Sequence, residues 1–252
     1  MTPEILSFIK GMEKAGRFAA QTLQHVGKAV RPGISTAELD ALAEDFVRTA
    51  GHRSAPLGYH GFPKSICTSV NEVICHGIPD PTVLKEGDIV NVDVTPIVNG
   101  YHGDTSATFF VGNVSDAARR ITECARAAME KGIEAIEVGG TTGDIGFAIN
   151  KYVTKMGFFV VKEIGGHGIG QKFHDEPFVP SYGKKGRGDP LKPWRCITVE
   201  PMINETGVAI KEISIPGSSI KYYRTGDGTL SAQFEHTVLV TDSGYEIMTL
   251  LD

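Results

Sequence analysis

Close cysteine pairs, long apolar runs and an excess of basic residues are all missing from this 252-residue chain, which holds four cysteines and one tryptophan. Cys67, Cys75, Cys124 and Cys196 are scattered, without the spacing of a zinc knuckle, and four in this length do not make a disulfide scaffold. No segment approaches the ~18 apolar residues of a spanning helix. In residues 1–26, Glu4, Lys10, Glu13, Lys14 and Arg17 interrupt any signal-peptide core. A soluble, reduced, cytoplasmic protein that meets no membrane is the expectation. Twenty-five basic against 30 acidic residues leave a net charge of −5, which excludes a general electrostatic footprint for nucleic acid.

Glycine is plentiful, at 30 residues, and an apolar content of 41% suffices for a buried core and excludes a disordered chain. Four amphipathic helices are expected. Ile5, Ile9, Met12, Ala19 and Leu23 recur at helical spacing in the first. A capping box of Ser35 and Glu38 opens the second, with Leu39, Leu42, Phe46 and Val47 inward and Gly51 as its C-terminal cap. The third spans 116–131 with Ile121, Cys124, Ala125, Ala128 and Met129 inward. The fourth starts at Thr141, three residues before Asp144, turns Ile145, Phe147, Ala148 and Tyr152 inward, and stops near Gly157. Laid over the first pair, the second pair repeats it: Ala19 and Ala125, Gly33 and Gly139, Thr36 and Thr142, Val47 and Val153, Gly51 and Gly157 all lie 106 apart. Each pair precedes β-rich sequence. The chain therefore reads as one α/β unit over 1–252 with pseudo-twofold halves, roughly 5–112 and 115–252, antiparallel sheets and a site where the halves meet.

Residues 88–111 carry the chemistry. Ile89-Val90-Asn91-Val92-Asp93-Val94-Thr95 alternates, Asn99-Gly100 signals a two-residue hairpin, and residues 101–111 return. With Asn99 and Gly100 as the turn, Asp93 faces Ser106 and Thr95 faces Asp104. Asn91, Asp93, Thr95, Asp104, Ser106 and Thr108 then share one face, with Asp93 and Asp104 roughly 5–8 Å apart at Cβ. This face is either a solvated surface or a divalent-ion site, because neighbouring carboxylates repel unless a cation or exposure relieves them. Glu200 lies 107 residues after Asp93, near the repeat offset, and Glu235 interrupts an apolar strand. His167 stands in Gly165-Gly166-His167-Gly168, where missing side chains permit an ion or substrate to approach the backbone. Four carboxylates and an imidazole suit a pair of first-row divalent ions such as Mn, Fe, Co or Zn, able to hold a bridging hydroxide as nucleophile.

Asp93, Asp104, His167, Glu200 and Glu235, with Cys75-His76-Gly77-Ile78-Pro79, Gly103-Asp104-Thr105, Gly166-His167-Gly168-Ile169-Gly170 and Val199-Glu200-Pro201-Met202, resemble the type I methionine aminopeptidases over essentially the whole chain. The resemblance implies the pita-bread fold, with its internal pseudo-twofold, and removal of initiator methionine from nascent polypeptides with a small second residue. It makes Asp93 and Glu235 bridging ligands, puts Asp104 on one metal and His167 and Glu200 on the other, and has Glu200 take the proton of the attacking water. His76 and His174 match positions that contact the scissile amide and donate hydrogen bonds to the oxyanion. Tyr59, Phe62, Cys67 and Phe173 match the wall of the methionine pocket. The chain departs from its relatives at Pro56, where they have a cysteine, and at Lys221, where a pocket-rim tryptophan is expected. Its only tryptophan is Trp194.

Two rivals remain open: a proline-specific pita-bread aminopeptidase, which usually carries an extra N-terminal domain, and a non-catalytic, ribosome-binding member of the fold. A monomer is expected. Lys184, Lys185, Arg187, Lys192 and Arg195 put five basic residues into a glycine-rich loop, as either a solvated loop or a weak ribosome contact.

Overall fold

The computed structural model describes residues 1–251. The first half runs α1 (Pro3–Gly27), α2 (Thr36–Thr49), β1 (Arg53–Ser54), β2 (Cys67–Val70), β3 (Val73–Cys75), β4 (Ile89–Val94), β5 (Pro96–Val98), β6 (Tyr101–His102) and β7 (Thr105–Phe110). Two helices, α3 (Asp116–Glu134) and α4 (Thr142–Lys155), open the second. Strands β8 (Phe159–Val160), β9 (Gly166–Ile169), β10 (Asp175–Val179), β11 (Arg195–Val199) and β12 (Met202–Asn204) follow. The chain continues through β13 (Lys211–Ser214), β14 (Lys221–Arg224), β15 (Ser231–Gln233), β16 (Glu235–Val240) and β17 (Tyr245–Ile247). All the strand pairings are antiparallel.

Local chemistry sets the helix ends where the sequence places them. Ser35 N–H donates to the Glu38 carboxylate at 2.8 Å while Glu38 N–H donates to Ser35 Oγ. At the matching position of α4, Thr141 N–H and Oγ–H both donate to Asp144. Gly51 and Gly157 terminate the pair in the left-handed region, at φ 77° and 82°. The starts and ends of α2 and α4 thus keep the 106-residue offset. Two inward stripes differ from expectation. Leu42 is 36% exposed. On α4 the buried face is Ile145, Ile149 and Val153, with Tyr152 half-buried against the same core, whereas Phe147 and Ala148 border an outer groove. Glycine is the reason: a Cβ on Gly143 or Gly146 would lie 2.1 Å from Arg187 O or 2.2 Å from Tyr182 O, so α4 turns its smallest residues to the loop beneath it.

The hairpin register is the expected one, with Asp93 opposite Ser106, Val94 opposite Thr105 and Val98 opposite Tyr101. Its strands are broken at Thr95 and at Gly103-Asp104, so the tip leaves the main sheet and joins β1. Val90, Val92 and Val94 pack with Val26, Ile34, Leu39 and Ala43 of the first-half core. The polar face is buried rather than solvated: Asn91, Thr95, Asp104, Ser106 and Thr108 are all less than 10% exposed. Chain from the second half covers it, with Asn91 Nδ2–H and Thr108 Oγ–H both donating to Gln233 O.

One eight-stranded sheet joins the halves in the order β10-β9-β11-β16-β7-β4-β2, with β17 on β16. The seam is short: Glu235 opposite Ser106 and His236 opposite Thr105. A small sheet flanks each half, β1-β5-β6 in one and β8-β12-β15 in the other. Where the first-half tip turns in two residues, the second carries residues 205–230, including the β13–β14 hairpin, which docks on β3.

Helix α1 crosses the bend before Asp104 so closely that a Cβ on Gly103 would lie 2.2 Å from Ala15 O. Gly103→Ala should therefore lower stability by about 1–3 kcal/mol, the scale of overpacking. Thermal denaturation would show this as a melting temperature lower by several degrees; an unchanged temperature would contradict the close approach.

Candidate metal centre

Alternation along three strands and two bends brings the five suspected ligands to one place. Asp93 stands on β4 between Cys67 of β2 and Ser106 of β7. Asp104 occupies the bend, where Thr95 Oγ–H donates to its Oδ1 at 2.8 Å and Thr237 Oγ1 accepts from its N–H. Glu200 follows β11, and the ladder extended one rung past Val199 and His236 sets it opposite Glu235 at the start of β16. His167 Nε2 lies 3.7 Å from Asp104 Oδ2 and 3.6 Å from Glu200 Oε1. Ligand atoms of Asp104, His167 and Glu235 lie within 4.8 Å of one another.

Electrostatics at this cluster favours a cation. Burial, first, and the neighbouring carboxylates, second, push Asp104 and Glu235 well above the ordinary carboxylate range. Burial raises Asp93 to about 7 and Glu200 to about 8, even though Thr198 Oγ–H and Gln233 Nε2–H donate to Glu200. Among the described residues, the one basic side chain paired with the cluster is His167, and burial lowers it to about 4. Its Nδ1–H donates to Gly168 O at 3.0 Å, which leaves Nε2 with a lone pair for a metal. Buried oxygen donors in excess, one neutral imidazole and no lysine or arginine partner form a donor set that fits divalent ions. The glycines beside His167 serve a second purpose besides the one expected. A Cβ on Gly166 would lie 2.2 Å from Thr198 O, and one on Gly168 2.1 Å from Glu176 O, so they admit neighbouring backbone, while Gly165 and Gly166 also line a cavity beside the cluster.

The cluster closes one end of a cavity of about 320 Å³. Tyr59, Phe62, Cys67 and Phe173 line it, as do His76 and His174. Sequence reasoning missed Ile164, Phe178 and Ile220 in the wall and overlooked Thr198 and Gln233 as supports of Glu200. The last two could have been found, since each stands two residues before a candidate ligand, a spacing that returns an extended chain to the same side. Pro56 lines the wall, and Ile220 stands beside the expected tryptophan position. Trp194 sits elsewhere, at φ 65°, its N–H bonded to Val240 O. A larger hollow of about 510 Å³ between α3 and α4 holds no such ligand cluster.

The two outer histidines differ. His76 Nδ1 lies 3.0 Å from Lys221 O and must donate to it, so the neutral ring, favoured by burial, carries an acceptor at Nε2 and not the expected donor. His174 Nδ1 lies 2.9 Å from the Tyr59 hydroxyl, and its ring stacks on Phe173 at 4.2 Å. Burial and the neighbouring histidines lower it to about 3.

The raised carboxylates have a stability consequence. Asp93 and Glu200 titrate above their ordinary 3.8 and 4.5, so the metal-free fold binds protons that the unfolded chain has released. Stability present below about pH 4 is then lost as pH rises through about 7 to 8. The melting temperature of chelator-treated protein should fall across this range, and saturating divalent metal should abolish the fall. A flat or rising profile without metal would contradict the assignment.

Comparison with known proteins agrees with this geometry. Residues 10–242 match metallopeptidase family M24. Methionine aminopeptidase A of Synechocystis is 51% identical over 243 residues, covering 96% of this chain and 94% of the relative. The methionine aminopeptidase of Escherichia coli strain K12 is 46% identical over 244 residues, covering 96% and 91%. The crystal structure of methionine aminopeptidase from Rickettsia prowazekii superposes with a TM-score of 0.93 at 46% identity, covering 99% of this chain and 98% of that one. An Xaa-Pro dipeptidase from Bacillus anthracis is more distant, at 26% identity and a TM-score of 0.75, with 61% of its chain covered. With the ligand cluster assembled and relatives matched from end to end, the chain belongs to metallopeptidase family M24 and, within it, to the methionine aminopeptidases.

Proposed function

We propose that this protein is a divalent-metal-dependent methionine aminopeptidase that removes initiator methionine from new polypeptides whose second residue is small. The observation that carries the reading is the assembly of four carboxylates, Asp104 and Glu235 buried and Asp93 and Glu200 partly so, with His167 at the end of an apolar cavity. A non-catalytic member of the fold would be expected to have lost a ligand, and none is lost. Proline-specific relatives stand further off in sequence than the methionine enzymes.

Asp93 and Glu235 would bridge two ions, with Asp104 on one and His167 and Glu200 on the other; Mn, Fe, Co and Zn all suit these donors. When bound, such ions polarise the substrate carbonyl and lower the pKa of water. Glu200, raised by burial and held by Thr198 and Gln233, would accept the proton of the attacking water at a carboxylate oxygen and return it to the leaving amine. His76 Nε2 accepts from the scissile N–H, and His174 serves the carbonyl oxygen as charge develops there. Tyr59, Phe62, Cys67 and Phe173 hold the flexible thioether and exclude water.

Glu200→Gln should lower turnover of a Met-Ala-Ser peptide by orders of magnitude in a folded protein, since an amide neither takes the proton nor balances the cations. Near-normal turnover at saturating metal would refute the mechanism. Met-Ala and Met-Gly peptides should be cut and Met-Leu peptides poorly, whereas equal rates on Pro-Ala peptides would favour the proline-specific reading.

An enzyme acting on new polypeptides would work in the cytoplasm, where nascent chains emerge; among the described residues no helix is long and apolar enough to cross a membrane. Lys184, Lys185 and Arg187 are exposed, on a loop pinned to the start of α4 by Gly143 N–H to Arg187 O and Gly186 N–H to Asp144. Exposed cations on a loop anchored in this way support weak docking to ribosomal RNA. Reversing the three to glutamate should weaken ribosome co-sedimentation at low salt and leave peptide cleavage intact; unchanged co-sedimentation would assign the loop to solvent.

A further inference from the structure

We propose that Tyr59 is a positioning residue whose hydroxyl sets the tautomer of His174, a role that rests on the methionine aminopeptidase reading of the cavity. A neutral imidazole has one N–H, and the nitrogen that lacks it is an acceptor. The 2.9 Å contact between His174 Nδ1 and the Tyr59 hydroxyl admits two arrangements. If Nδ1–H donated, the phenolic proton would have no acceptor among the described residues, and Nε2 would offer only a lone pair. If the phenol donates, both groups are satisfied and Nε2–H becomes the free donor. Burial raises the Tyr59 pKa, which keeps that proton on the phenol.

His76 has the opposite arrangement, because a backbone carbonyl can only accept: Nδ1–H goes to Lys221 O and Nε2 is the acceptor. One cavity therefore presents two neutral histidines of opposite polarity, as an amide with one N–H and one carbonyl requires. His174 is the ring that can donate to the carbonyl oxygen, and Tyr59 is the group that makes it so.

The structure that enforces both tautomers is the 205–230 segment, which the first half lacks. Ser219 N–H and Ser218 Oγ–H donate to His60 O at 3.0 and 2.8 Å, fixing the turn that carries Tyr59. A Cβ on Gly61 would lie 2.3 Å from Gly217 O, so turn and segment are in direct backbone contact. Lys221 of the same segment supplies the carbonyl that holds His76. Tyr59 also packs on Phe173, with ring centroids 5.0 Å apart. Tyr59→Phe should preserve that packing and remove only the donor.

The test uses the zinc-loaded enzyme with nitrogen-15 histidine. Nuclear magnetic resonance should show His174 protonated at Nε2 with Nδ1 accepting; protonation at Nδ1 in the wild type overturns the proposal. Tyr59→Phe should lose that preference, lower kcat on Met-Ala-Ser by about tenfold, part of the roughly 10²–10³ cost of an absent oxyanion donor, and leave KM within about twofold and zinc content unchanged. An unaltered tautomer with unaltered kcat overturns it. In a His174→Ala background, Tyr59→Phe should cause no further loss, and a second tenfold fall would show that the hydroxyl acts elsewhere. Failure of the wild type to cleave any methionyl peptide would instead refute the proposed function, and the wild-type resonance would still decide the tautomer.

Discussion

Four carboxylates crowd around one neutral histidine, His167, at the end of a cavity, and the surrounding structure is arranged to tolerate that crowding. Like charges removed from water cannot all ionise without a cation, so the pocket is a metal site or a cluster of protons. Donors come from two strands and a bend: Thr95 to Asp104, Thr198 and Gln233 to Glu200. His167 spends its only proton on Gly168 O, so its other nitrogen adds no charge of its own. The stability needed to hold this arrangement comes from elsewhere, from the two apolar clusters beneath the helix pairs, around Val90, Val92 and Leu39 in one half and Ile145, Ile149 and Val199 in the other.

Symmetry supplies the scaffold, and departures from it supply the chemistry. Helices repeat at 106 residues, but Asp93 and Glu200 stand 107 apart, and the extra residue keeps both on the cavity side of their strands. The corresponding rungs are then Asp93 with Ser106 and Glu200 with Glu235. A serine in one half and a glutamate in the other make the two faces unequal. The larger departure is the 205–230 segment, which replaces a two-residue turn and reaches back over β3 to the cavity mouth.

Much of this was readable from residues alone, for reasons that can be named. Register followed from Asn99-Gly100, because a two-residue turn fixes every rung behind it, and helix ends followed from Ser35, Glu38, Thr141 and Asp144. The candidate ligands were readable because a charge inside an apolar strand, as at Glu235, needs a partner. The burial of the hairpin's polar face was not readable, since nothing between residues 88 and 111 records that Gln233 lies across it. Ile220 and the carbonyl of Lys221 escaped for a similar reason: long-range docking of a loop leaves no periodic mark. The face of α4 was misread in part because one contact is made by absent side chains, at Gly143 and Gly146, while Phe147 and Ala148 looked like core.

The narrow seam between the halves bears on how the chain comes to be active. Asp93 and Asp104 lie before it, His167, Glu200 and Glu235 after it, and only two rungs of β7 and β16 bind the sheets across it. Neither half by itself holds a complete donor set, so a chain whose later half has not yet folded has nowhere to keep its ions. Catalysis therefore requires both halves to be docked; the β3–β14 pairing and backbone bonds such as His102 N–H to Gly170 O reinforce the short seam, and bound metal would add a further tie between the two lobes.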